Sequence, residues 1–125
     1  MKKTIRIVAA LPGIMFFLIG LQWMFSPTAA AEAIGMELLD GMARSSQIGD
    51  LGSFFFAGSC IILLGVYTLN RTWFFASAML VGGAAVIRTM AWALHDAPLA
   101  TQSIAIEVVI CIIMLVAATQ ICAKN

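Results

Sequence analysis

The chain has 125 residues, 62% of them hydrophobic and 10% charged, with a net charge of +1 and a mean hydropathy of +1.03. A soluble domain carries about 25% charged residues, so this composition excludes a water-soluble globule and points to an integral membrane protein. A net charge this small, with no large basic cluster, also excludes a nucleic-acid partner.

Four apolar runs each approach the ~20 residues that span the hydrocarbon of a bilayer. They are Ile5–Phe25, Ile48–Leu69, Thr72–Ala93 and Leu99–Cys122. The expected fold is all-α: an integral membrane four-helix bundle with short loops, one transmembrane domain over residues 1–125. The first run follows Lys2, Lys3 and Arg6, and Thr28-Ala29-Ala30-Ala31 could serve as a signal-peptidase site. A signal sequence has a shorter apolar core of roughly 7–15 residues. A retained span is therefore expected, with Trp23 as an interfacial anchor at its far end. Pro12 should kink this helix, because it removes a backbone hydrogen bond. Gly13 and Gly20 should line one face and admit close contact with a neighbouring helix.

The segment 26–47 is the one long connection. Ser26-Pro27 is a helix-start signal, Ala29 to Ala33 favour helix, and Ile34, Met36, Leu38, Leu39 and Met42 supply an apolar side. A short amphipathic helix is expected on the outer membrane surface, turning at Asp40-Gly41 and covering the helix ends.

Gly58 and Gly65 repeat the seven-residue spacing in the second span, and Ala78 with Gly82 forms a small-xxx-small pair in the third. Packing inside the bundle accounts for both. Asn70-Arg71-Thr72 is short enough to make an antiparallel hairpin of these two spans, with Tyr67 and Trp73 at interfacial depth. His95-Asp96-Ala97-Pro98 joins the third span to the fourth. Cys60, Cys111 and Cys122 form no Cys-x-x-Cys pair and are expected as small buried hydrophobes.

With the N-terminus in the cytoplasm, the inner side carries Lys2, Lys3, Arg6, Arg71 and Lys124, and the outer half carries Arg44 and Arg88. This satisfies the positive-inside rule. It implies an orientation with both termini cytoplasmic. Glu32, Glu37, Asp40, Asp50, Asp96 and Glu107, all six acids, then fall on the outer side.

Asp50, Arg88 and Glu107 lie within the apolar runs. A charge at the bilayer centre costs between ~2.5 and ~17 kcal/mol. These three belong nearer the outer interface, where the lower value applies, but each still needs a partner. One guanidinium fork could bridge both carboxylates, and one carboxylate of such a shared site would hold a proton. Helical spacing puts Arg88, Trp92 and His95 on one face of the third helix and Asp50 with Phe54 on one face of the second. Ser103, Glu107 and Cys111 share a face of the fourth. The expected polar cluster is Asp50, Arg88, Glu107, Trp92, His95 and Asp96, either a structural ion-pair network or a binding site. One histidine with scattered carboxylates makes no zinc constellation, and no nucleophile–base pattern marks a catalytic centre.

Ile87-Arg88-Thr89, the turn Asp96-Ala97-Pro98 and Glu107 resemble a family of small bacterial four-helix membrane proteins that carries only a domain-of-unknown-function label and is similar to the DoxX-like group. That family tends to carry a Gly-Arg pair, a Gly-x-Pro-type turn and a Glu-Leu pair; here Ile87 precedes Arg88 and Val108 follows Glu107. The resemblance implies the fold, a bacterial inner (cytoplasmic) membrane and the importance of Arg88 and Glu107. Some DoxX-like proteins are membrane subunits of quinone-linked oxidoreductases, which implies a non-enzymatic accessory subunit here. The alternative is a binder of a quinone, a lipid or another amphiphile, with Arg88 holding a carbonyl or anionic headgroup. A small transporter is a third reading, opposed by the absence of an acid in the first span. No cofactor is implied beyond a possible quinone or lipid. The implied partners are membrane lipid, a partner membrane protein or a second copy of the chain.

Overall fold

The structure, a computed structural model, describes residues 1–122. It is helical with no strand among the described residues: α1 (Lys2–Phe25), α2 (Pro27–Ala33), α3 (Gly41–Thr68), α4 (Arg71–Leu94) and α5 (Thr101–Gln120). Four of these, all but α2, are long and apolar enough to cross a membrane. In lipid the backbone must satisfy its own hydrogen bonds, which an unbroken helix does. The hydroxyls follow the same rule: Ser59 Oγ donates to the Phe56 carbonyl at 2.6 Å, and Ser77 Oγ to the Trp73 carbonyl at 2.8 Å.

The bundle is two closely packed helix pairs, α1 with α3 and α4 with α5, joined along narrower seams between α3 and α4 and between α1 and α5. Side-chain size explains the α1–α3 pairing. Gly13 and Gly20 of α1 lie under Leu63 and Phe56 of α3, while Gly52 and Gly58 of α3 lie under Trp23 and Phe16 of α1. Each helix thus sets large side chains over the other's glycines in one antiparallel register, the close approach that small residues permit. At Gly20 an added Cβ would stand 3.0 Å from the Phe56 backbone nitrogen. In the α4–α5 pair, Gly82 packs on Cys111, whose Sγ is 3.5 Å from the Ala78 carbonyl. The glycine spacings of the first and second spans and the Ala78/Gly82 pair therefore serve packing within the chain.

The main core is built from Ala9 and Phe16 of α1, Ile62 of α3, Phe74 and Val81 of α4, and Met114 of α5. Phe16 meets Phe55 edge-on, with ring centroids 5.0 Å apart, a preferred aromatic geometry. Pro12 lies inside α1, and the helix is continuous across it.

The hairpin between α3 and α4 is tighter than a flexible loop. Leu69 takes a left-handed conformation (φ 53°), and Asn70 Oδ1 accepts the Thr72 backbone N–H at 2.9 Å as an N-cap. Tyr67 and Trp73 flank it with exposed rings, and Arg6 at the start of α1 donates to the Val66 carbonyl at 3.0 Å. The N-terminus of α1 and the α3–α4 turn thus share one end of the bundle.

At the opposite end the sequence expectation needs two corrections. The second span was expected to begin near Ile48, but α3 begins at Gly41, so the connection 26–47 contributes α3's first two turns. Gly35 (φ 75°) and Gly41 (φ 61°) bracket the intervening loop in conformations that favour glycine. Gln47 holds that loop: its side chain accepts the Leu39 N–H at 2.9 Å and donates to the Glu37 carbonyl at 3.0 Å. Second, Trp23 was expected as an interfacial anchor but is fully buried, because α2 folds back and packs Ala30 and Ala31 against it. Away from that end, Cys60 is exposed on α3, where a buried hydrophobe was expected.

Candidate functional site

Arg88 and Glu107 meet. Arg88 Nε donates to Glu107 Oε1 at 2.8 Å, joining α4 to α5 at the depth where the antiparallel register of Gly82 on Cys111 places them. The pair is lopsided: the Glu107 side chain is 9% exposed and that of Arg88 40%. Glu107 Oε2 is buried and has no hydrogen-bond partner among the described residues. Taking a carboxylate out of water costs several kcal/mol unless it is paired, so Arg88 is what makes Glu107 tolerable in the core.

Asp50 does not join this pair. It is exposed on α3, and the only ion pairs among the described residues are Arg88–Glu107 and the surface pair Arg44–Asp40. The expected bridging of two carboxylates by one guanidinium is therefore replaced by a one-to-one pair. The physical reason is the seam geometry: α4 packs closely on α5 but only narrowly on α3, so Arg88 finds Glu107 and not Asp50. The two carboxylates therefore do not form the shared site that was expected.

Asp50 and Arg88 do share a space. A cavity of about 1130 Å³ lies along the α3–α4 seam, and both residues line it together with Phe54, Gly83 and Ile87. Ile61 and Ala76 line it toward the hairpin turn, and Ile34, just after α2, lines it at the other end. Eleven residues of α3 separate Asp50 from Ile61 and twelve of α4 separate Ala76 from Arg88, so the groove is about 16–18 Å long at the helical rise of ~1.5 Å per residue. Half of a ~30 Å hydrocarbon core is about 15 Å. The groove is thus one leaflet long, apolar along its length and charged at one end. Gly83 leaves it open: an added Cβ there would meet nothing within 4 Å.

A second cavity of about 510 Å³ on the α1–α5 seam is lined by apolar residues such as Leu11, Met15 and Ile106, and by no charged side chain. It can accept hydrocarbon but cannot orient a headgroup.

The other expected members of the cluster lie apart from the groove. Trp92 is half exposed, and neither it nor His95 lines the cavity. His95 ends α4, and Asp96 occupies a left-handed turn position (φ 56°), where aspartate is tolerated. The turn at His95-Asp96-Ala97-Pro98 is followed by α5, which starts at Thr101. Helical phase put Arg88, Trp92 and His95 on one face but could not show that α3 and α4 part company beside that face. Phe55, Met79, Leu80 and Ala84, also groove residues, carry no sequence signal that separates them from ordinary core. Among the described residues, no three His, Cys, Asp or Glu side chains converge as a metal site would require.

The chain matches no family model, no curated protein and no solved structure.

Proposed function

We propose that this protein is a small bacterial inner-membrane protein that holds a single amphiphile in the outer leaflet, its tail in the α3–α4 groove and its headgroup at Asp50 and Arg88. The observation that carries the reading is the groove: one leaflet long, apolar, with charged side chains at one end only. Binding sites for small molecules combine an apolar lining with a few polar groups that fix orientation. Arg88 spends one N–H donor on Glu107 and has no other protein partner among the described residues, so donors remain for a ligand. Orientation with both termini in the cytoplasm is part of the proposal, since Lys2, Lys3, Arg6 and Arg71 gather at the end away from the headgroup site. So is kinship with the DoxX-like group, supported by Arg88 and Glu107 within their local sequence.

The test fills the groove. Gly83→Phe places a ring in open space and should abolish retention of an amphiphile by the gently extracted protein in native mass spectrometry, with the helical melt unchanged. Equal retention in the variant would overturn the reading.

A second reading, an accessory subunit of a membrane complex, draws on surface. The chain exposes 7771 Å², against about 6500 Å² expected for a compact soluble monomer of this mass. Apolar side chains exposed on the long helices, Leu18, Leu64, Met79 and Val109 among them, must be covered by lipid or by a partner. A polypeptide retained at fixed stoichiometry in the same spectra would favour the partner.

A further inference from the structure

We infer that the groove selects a cationic amphiphile, an alkylammonium headgroup on a single apolar chain, with Asp50 as the residue that recognises the charge. The inference rests on the amphiphile-binding reading and reverses the headgroup polarity that Arg88 alone suggests.

Arg88 is already neutralised. Its guanidinium lies 2.8 Å from Glu107, a carboxylate too buried to find another cation. The three charged groups carry a formal −1 together, and the surplus sits on Asp50, which has no ion-pair or hydrogen-bond partner among the described residues. An anionic headgroup entering the mouth would meet Asp50 directly and gain only from an arginine whose charge is spent. An ammonium group meets the opposite situation: an exposed carboxylate with free lone pairs, and Phe54 one helical turn away on the same wall. Residues four apart on a helix are neighbours, so a cation held by Asp50 can also rest on the Phe54 ring face.

The long-range field has the same sign. The half of the molecule that holds the groove mouth carries six carboxylates (Glu32, Glu37, Asp40, Asp50, Asp96 and Glu107) against two guanidiniums (Arg44 and Arg88), a net −4. Arg44 is itself paired with Asp40 at 2.8 Å. A surface dominated by one sign of charge raises the local concentration of the opposite ion and speeds its capture. The groove's length admits a tail of one leaflet's depth, and its uninterrupted apolar lining beyond the mouth offers no site for a second polar group.

The experiment uses the full chain in nanodiscs of phosphatidylcholine, with three probes of one tail length: tetradecylammonium, tetradecanol and tetradecanoate. Saturable binding above that of empty nanodiscs is measured for the wild type, Asp50→Asn, Asp50→Glu, Asp96→Asn and Gly83→Phe. The ammonium should bind the wild type roughly tenfold more tightly than the alcohol, the lower end of what a charged hydrogen bond contributes. Asp50→Asn should remove that preference, while Asp50→Glu and the distal Asp96→Asn keep it. If the three probes bind alike, or the carboxylate binds best, and Gly83→Phe still abolishes binding, the cationic inference is overturned and the groove reading stands. If no probe binds saturably, or Gly83→Phe changes nothing, both are overturned.

Discussion

Replacing Arg88 with methionine should cost far more stability than replacing Glu107 with leucine, although the two side chains form a single ion pair. The asymmetry follows from burial: the Glu107 side chain is 9% exposed and that of Arg88 40%. Removing one member of a fully buried pair costs about 3–5 kcal/mol, because the other charge is stranded. Arg88→Met strands Glu107 beside the main core, with Oε2 already lacking a partner among the described residues. Arg88 is only partly buried, at the charged end of the groove, so the figure for a fully buried pair must be discounted to roughly 2–3 kcal/mol. Glu107→Leu strands only Arg88, which lines the groove and can turn its head toward water; the expected loss is about 1 kcal/mol or less. The double variant leaves no buried charge and should fall within about 1 kcal/mol of wild type. The measurement is reversible unfolding in mixed micelles, followed by far-ultraviolet circular dichroism, for the complete cycle. Equal losses in the two single variants, or a double variant worse than Arg88→Met, would refute the assignment of Glu107 as the buried member.

Gly20→Ala should destabilise the α1–α3 pair by about 1–3 kcal/mol, the cost of overpacking, since the new Cβ meets the backbone of Phe56 at 3.0 Å. Gly49→Ala, on the same helix as Phe56 but with nothing within 4 Å, should be neutral or stabilising by up to about 1 kcal/mol; the same unfolding assay separates them. Gln47→Ala should cost about 1–3 kcal/mol, the penalty of leaving buried hydrogen-bonding groups unmet. It should also speed amide exchange at Leu39, whose N–H it holds, with little change in the α4–α5 core. An unchanged exchange rate at Leu39 would show that the loop is held by other contacts.

Much of this molecule is determined by its sequence alone, because lipid leaves so few solutions. Four apolar runs that take up most of the chain admit helices that cross a bilayer and little else, and α1, α3, α4 and α5 fall on those runs. Arg88 and Glu107 stand out for the same reason: an ionisable residue in an apolar run must find a partner, and similar distances from one short turn put them at one depth. Pro27 marks a helix start through local chemistry, needing no N–H partner at the first helical position, whereas the Asn70 cap on the Thr72 N–H emerged only from the structure. Tertiary structure decided the matters that depend on which helices pack closely. Glycines interleaved with Phe16, Trp23 and Phe56 draw α1 onto α3, Gly82 and Cys111 draw α4 onto α5, and the α3–α4 seam is left partly unfilled. That difference gives Arg88 to Glu107 and withholds it from Asp50. It also buries Trp23 under α2 and leaves Trp92 and His95 outside the groove. Helical phase records the direction of a side chain about its own axis; the distance to the next helix is set by the summed sizes of residues from both, and no single stretch of the chain contains that sum.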